Sequence, residues 1–272
     1  MSILYDPNDR GFSEALSGID RCQIAMLREL AHSSAARLIL KGGMAMRVVV
    51  GSMRLTKDLD FDRAEGVSTA SVQASVKKAL QYAAQSAGLR GAQIDPGKST
   101  ETTVRMRLAG TLNRTEVRFV VEVSGRNPVP KECQTRAQVT PPARYGMAPF
   151  VITTYSHNML ATSKIMAVMS INRNVPRDVY DLNDLLTASP ESILAMRSSP
   201  AQLQEIADSV LDKLCAIDFA QAQQELLPYI SAEQRAALNQ QRWDELTLAV
   251  AQTVQKWATN ALHLDTPLAL KK

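Results

Sequence analysis

A glycine pair and an acid pair, fourteen residues apart, constrain this chain more than any other feature. Residues 41–61 read KGGMAMRVVVGSMRLTKDLDF. Just before them, RLIL (37–40) is a short apolar run that predicts a buried strand meeting a tight turn at Gly42-Gly43. Residues 44–50 predict a short helix closed by Gly51-Ser52, and DLDF (58–61) alternates polar and apolar residues as a strand does. Carboxylates at i and i+2 on a strand leave from one face, so Asp58 and Asp60 point the same way. Their repulsion is costly unless a cation lies between them. A hard divalent ion such as Mg²⁺ takes oxygen ligands of this kind and keeps positions for phosphate oxygens. The Gly-Gly turn puts no side chain in the way, and the helix after it offers free backbone N–H groups, which together cradle phosphate. Arg54 and Lys57 add positive charge before the first acid. The segment therefore predicts a metal and a polyphosphate side by side.

The rest of the chain has two textures. Up to residue 155, helices alternate with short β-rich runs. Residues 67–87 carry apolar residues at helical spacing and end at Gly88. Strands are expected over 102–108 and 116–123, with Gly110 and Asn113 between them marking a hairpin. Residues 126–149 hold five prolines and read as a loop or linker, and 150–154 as one more strand. From Ser156 onward the pattern is helical. A break spans 172–176, and Pro176 suits the first turn of a helix over 177–186. Further helices are expected over 192–198, 201–216, 232–239 and 244–263, with residues 268–272 frayed. The division predicted is an α/β domain over 1–155 and a helical domain over 156–272.

Composition removes several classes. With 45% hydrophobic and 21% charged residues, neither disorder nor a fibrous protein is expected. No apolar run is long enough to span a membrane, and the first residues lack a basic patch followed by an apolar core. A cytoplasmic protein without membrane contact is the expectation. The net charge of +4 and pI of about 9.0 are compatible with a polyanionic partner. Cys22, Cys133 and Cys215 form no CxxC and read as reduced thiols. Gly97-Lys98-Ser99-Thr100 imitates the end of a P-loop, but the required earlier glycine is Ala92 and the segment leads into a strand. Asp58, Asp60 and Asp62 imitate a calcium loop, but Arg63 and Thr69 stand at its glycine and glutamate positions.

The pattern GG-x14-DLD resembles the signature of the DNA polymerase β-like nucleotidyltransferase superfamily. The fuller string is similar to the AbiEii/AbiGii-type nucleotidyltransferase toxins of type IV toxin–antitoxin and abortive-infection (phage-defence) systems. The resemblance implies an α+β fold, a mixed sheet with flanking helices followed by a C-terminal helical bundle that completes the active site. It implies two metal-binding aspartates, Asp58 and Asp60, and a third acid on a neighbouring strand, best matched by Glu122 in FVVEVS (119–124). Glu122 has a second reading as a strand-edge charge or as a partner for Arg118 or Arg105. The resemblance continues through 154–186, where Lys164 matches a family lysine and Arg177, Asp178 and Asp181 match an R-D-x-x-D helix. It implies Lys164 at the β/γ-phosphates, with a solvated surface lysine as the alternative. Asp178 is read as active-site lining, and Asp181 as a partner for Arg177 or Arg173.

The activity implied is transfer of a nucleotide from an NTP to an acceptor, with two Mg²⁺ (or Mn²⁺) ions held by Asp58, Asp60 and Glu122. Lys41, Gly42, Gly43, Ser52, Arg54, Lys57 and Lys164 would lie along the nucleotide, and Asp58, Asp60, Glu122, Lys164 and Asp178 would serve catalysis. The resemblance favours a tRNA 3′ end as acceptor, so that translation or growth is blocked. A protein, a small molecule, or a non-catalytic nucleotide- or RNA-binding role are the alternatives. A cognate antitoxin is implied, with no need for a stable complex.

Overall fold

The computed structural model describes residues 2–33, 37–170, 176–188 and 199–261. The chain divides into two compact units, residues 1–156 and 157–272.

The first unit is built on one eight-stranded mixed sheet. Its strands are β1 (Ser2–Ile3), β2 (Leu38–Lys41), β3 (Asp58–Arg63), β4 (Arg90–Pro96), β5 (Thr103–Leu112), β6 (Thr115–Ser124), β7 (Gln134–Thr140) and β8 (Phe150–Tyr155), in the spatial order β1-β7-β8-β2-β3-β6-β5-β4. At its centre β2 runs antiparallel to β3, which runs parallel to β6, which runs antiparallel to β5.

Side-chain alternation gives this sheet two unlike faces. Leu40, Leu59, Phe61, Val104, Met106, Val121 and Val123 are buried on one. Helices α1 (Glu14–His32) and α3 (Thr69–Ala87) cover that face. Each begins at a serine whose hydroxyl accepts an N–H of the first turn, Ser13 from Leu16 and Ser68 from Ser71. In α3, Val72, Val76, Ala79, Leu80, Ala83 and Ala87 form the buried stripe, and Gly88, at φ 74°, closes the helix in the left-handed conformation.

Between β2 and β3 the chain makes α2 (Gly42–Ala45), which continues into a five-residue π-helix, Met46–Val50. The short helix expected here is thus wound more widely in its second half, a form that recurs near functional sites. Gly51, at φ 75°, ends it by donating its N–H to the Met46 carbonyl.

One expectation is corrected. The proline-rich stretch 126–149 is not a plain loop, because β7 lies inside it, antiparallel to β8 and parallel to β1. Pro128, Pro130, Pro141 and Pro142 all fall outside its seven residues. Prolines bracket this strand and remove none of its donors. Strand β4, an exposed edge with a bulge between Arg90 and Gln93, and helix α1 had no predicted boundaries.

The second unit is helical among the described residues. Its helices are α4 (His157–Met169), α5 (Pro176–Ala188), α6 (Pro200–Cys215), α7 (Phe219–Glu225), α8 (Ala232–Ala237) and α9 (Gln240–Ala261). Val179, Leu182, Val210, Leu226, Trp243 and Val250 meet in its core, and the Trp243 indole donates to the Ile217 carbonyl at 3.2 Å. Pro176 is the first residue of α5, and Ser199 closes a capping box on α6 with Gln202. The break over 172–175, the helix expected over 192–198 and the end segment 268–272 lie outside the described residues.

Candidate active site

The open face of the sheet is polar because β3, β5 and β6 each place charge on it. Register sets the arrangement. Asp60 on β3 lies beside Glu122 on β6, and Glu122 lies opposite Arg105 on β5. On the other side Asp60 is paired with Lys41 on β2. One row across four strands therefore reads Lys41, Asp60, Glu122, Arg105. Neighbouring strands are about 4.8 Å apart, so their side chains are within reach of one another. Asp58 stands two residues up β3 on the same face and is exposed, while Asp60 and Glu122 are half-buried.

The Gly-Gly turn is pressed against this row. Gly42 has φ +70°, and a Cβ there would sit 2.6 Å from Asp60 Oδ2. Backbone conformation and space both demand glycine at that position. A Cβ on Gly43 would come within 2.8 Å of Arg54 Nη2 and 3.0 Å of Thr56 Cβ. Arg54 is buried and donates to the Leu55 carbonyl at 3.0 Å, so its guanidinium is held at the turn. Ser52 is buried as well and accepts the Arg54 N–H. The Thr56 hydroxyl accepts from the Asp58 N–H at 3.3 Å, which fixes the start of the acid strand. Lys57 is exposed.

Two side-chain networks brace the site. Lys41 does not stay in its row: its ammonium is 2.7 Å from Asp62 Oδ1, and the Tyr155 hydroxyl also donates to Asp62. Burial first, then the Asp62 bond, pushes the Tyr155 phenol well above its ordinary pKa. The second network anchors the π-helix. Arg47 and Asp20 form an ion pair with both side chains 1% exposed. Arg47 also donates to the Tyr5 carbonyl at 3.0 Å and stacks over the Tyr5 ring, and the Tyr145 hydroxyl donates to Asp20 at 2.6 Å. Arg47 thus ties the helix after the Gly-Gly turn to α1.

Glu122 is engaged by Arg105, one of the two arginines considered for it. Nε is 3.0 Å from Oε2, and Nη2 donates to the same oxygen. The hydrogen bond and then the charge of Glu122 raise the Arg105 pKa, with smaller contributions from Asp58 and Asp60. Arg118 is paired with Glu116. Among the described residues, no three acids are already gathered as a metal cage. The donors nevertheless suit a hard divalent ion: three carboxylates share a face on adjacent strands, and the Cβ missing from Gly42 keeps the space beside Asp60 open.

In the second unit Lys164 is buried, 2.8 Å from Asp178 and 2.6 Å from Asp181. It is not a solvated surface lysine. Lys164 is thus one partner of Asp181, Arg173 lies outside the described residues, and the Arg177 guanidinium lies over the Tyr229 ring at 5.0 Å. The residues that sequence reasoning passed over are Thr56, Tyr155 and the group Asp20, Arg47 and Tyr145. Arg47 alone carried a signal, a charge inside the apolar run MAMRVVV.

The first unit is thus a mixed sheet with helices on one face and a glycine turn packed against acids on the other. The family model for the AbiEii nucleotidyl transferase toxin of type IV toxin–antitoxin systems matches residues 25–262. The chain belongs to this family and is a nucleotidyltransferase toxin, and membership implies a cognate antitoxin. Solved structures agree on the fold. JHP933 from Helicobacter pylori is 18% identical with a TM-score of 0.64, covering 93% of this chain and 97% of its own. A candidate nucleotidyltransferase from H. pylori is 17% identical with a TM-score of 0.61, covering 94% of this chain and 100% of its own. No curated protein matches the chain. Among the described residues no helix is long and apolar enough to cross a membrane.

Proposed function

We propose that this toxin uses Mg²⁺, with Mn²⁺ as a substitute, to transfer a nucleotide from an NTP to an RNA 3′ end, with tRNA as the acceptor, and so blocks translation. The observation that carries the reading is the packing of Gly42 against Asp60, with Glu122 beside Asp60 and Asp58 on the same face. Asp58, Asp60 and Glu122 are the residues that would hold two ions. A bound divalent cation supplies Lewis acidity, which favours the acceptor hydroxyl as a nucleophile and offsets charge on the leaving pyrophosphate.

The remaining work belongs to the chain. Gly42 and Gly43 keep side chains away so that the triphosphate meets backbone N–H groups. Arg54, held at the turn, and Lys57, exposed beside it, offset negative charge on the phosphates as it shifts toward the leaving group. In the second unit Asp178 fixes the Lys164 ammonium at 2.8 Å. Catalysis of this kind rests on positioning and electrostatics rather than on covalent chemistry. The basic balance of the chain suits a polyanionic acceptor.

The test is a transfer assay. Purified protein is incubated with each labelled NTP in turn, Mg²⁺ or Mn²⁺, and total RNA, beside the D58N/D60N variant. Label in a tRNA-sized band with wild type alone is the expected result. Label on protein, or no transfer with any NTP, overturns the RNA acceptor. Equal transfer by the variant overturns the assignment of the two aspartates.

A further inference from the structure

The acidic face carries its own cation. Asp58, Asp60 and Glu122 place three carboxylates on one face of adjacent strands, an arrangement that repels itself unless positive charge enters it. Lys41, in register with Asp60, has its ammonium on Asp62. From the opposite side of the row Arg105 reaches Glu122, its neighbour on β6. Nε and Nη2 both donate to Oε2, so the lone pairs of that oxygen are committed to the guanidinium. The pair is accessible, with the Arg105 side chain 43% exposed and that of Glu122 32%. Solvent can therefore replace either partner without unfolding the sheet.

We propose that Arg105 is a built-in counter-cation of this site, whose charge on Glu122 competes with a divalent metal and thereby sets how tightly the site takes up metal. This rests on the proposed metal role of Asp58, Asp60 and Glu122. A metal needs the Glu122 oxygen at roughly 2.0–2.1 Å. Oε1 receives neither N–H bond, so a metal reaching it meets the guanidinium charge next to it, and a metal taking Oε2 displaces at least one of the two bonds. The metal brings two units of positive charge against the one of Arg105, so the competition favours it when metal is available and reverses when it is not. Arg105 is thus a positioning residue that acts through Glu122.

The experiment measures Mn²⁺ binding, by the electron paramagnetic resonance signal of the free ion, to the full chain without nucleotide. Wild type is compared with R105Q, R105K, E122Q and the R105Q/E122Q double variant, with circular dichroism as the check on folding. R105Q is expected to bind Mn²⁺ about fivefold more tightly, the scale of an exposed ion pair. R105K should fall between, because it keeps the charge but loses the two-pronged grip. The gain should vanish in the double variant. Binding by R105Q that is unchanged or weaker, while wild type binds and D58N/D60N does not, overturns the role of Arg105 and leaves the metal site standing. Absence of binding by wild type and R105Q alike overturns both.

Discussion

Arg47 and Arg105 each hold a carboxylate in the first unit, and the two pairs differ in depth. The Arg47–Asp20 pair is sealed, at 1% exposure on both sides, and is completed by Tyr5 and Tyr145. The Arg105–Glu122 pair stands on the open face, at 43% and 32%. Removing one partner from a sealed pair strands a charge where water cannot reach it. Removing one partner from an open pair returns the other to solvent. The same two functional groups therefore make an anchor in one place and an exchangeable contact in the other. Helix α1 and the apolar sheet face hold the anchor, and the exchangeable contact lies beside the acids.

The largest effect is expected at the anchor. R47M should destabilise the protein by about 3–5 kcal/mol, because Asp20 is left buried without its cation. Chemical denaturation followed by circular dichroism measures it. A loss below 1 kcal/mol would show that the sealed pair is no anchor, and the contrast would collapse.

The glycine turn between the two pairs offers an intermediate test. Gly42 and Gly51 share a positive φ, at 70° and 75°. A Cβ on Gly42 meets Asp60 at 2.6 Å, whereas a Cβ on Gly51 meets nothing within 4 Å. G51A should cost only the backbone strain, about 1–2 kcal/mol, and keep nucleotide transfer. G42A should add displacement of the Asp60 carboxylate and abolish transfer. Measuring melting and labelled-nucleotide transfer for both variants separates strain from site geometry. Equal activity in the two would remove the link between the turn and the acid.

The smallest effect on stability is expected at the open pair. R105Q should change unfolding free energy by less than about 1 kcal/mol, and the change should shrink at high salt. Thermal melts at two ionic strengths read it. A large loss that salt does not alter would make Arg105 an anchor like Arg47.

Much of the site was legible in the sequence because it is local. The spacing of Asp58 and Asp60 placed them on one face, and the apolar neighbours of Glu122 placed it on a strand able to share that face. Period-2 alternation reports such facts within a few residues. Strand β7 was obscured because prolines were counted over a window wider than the strand they flank. The sealed pair escaped notice because Asp20 and Arg47 are 27 residues apart, and the apolar run around Arg47 does not name its partner. Lys164 took two carboxylate partners from a helix beginning 12 residues later, and only the packing of α4 on α5 brought them together.

The sequence by itself determined the chemistry offered to the site: which acids, which glycines and which cations stand near one another along the chain. Tertiary structure decided which cation met which acid. Lys41 went to Asp62 rather than to Asp60 beside it, and Glu122 went to Arg105 rather than Arg118. The physical reason is that strand register and burial, set by long-range pairing, rank ion pairs whose chemistry is nearly the same.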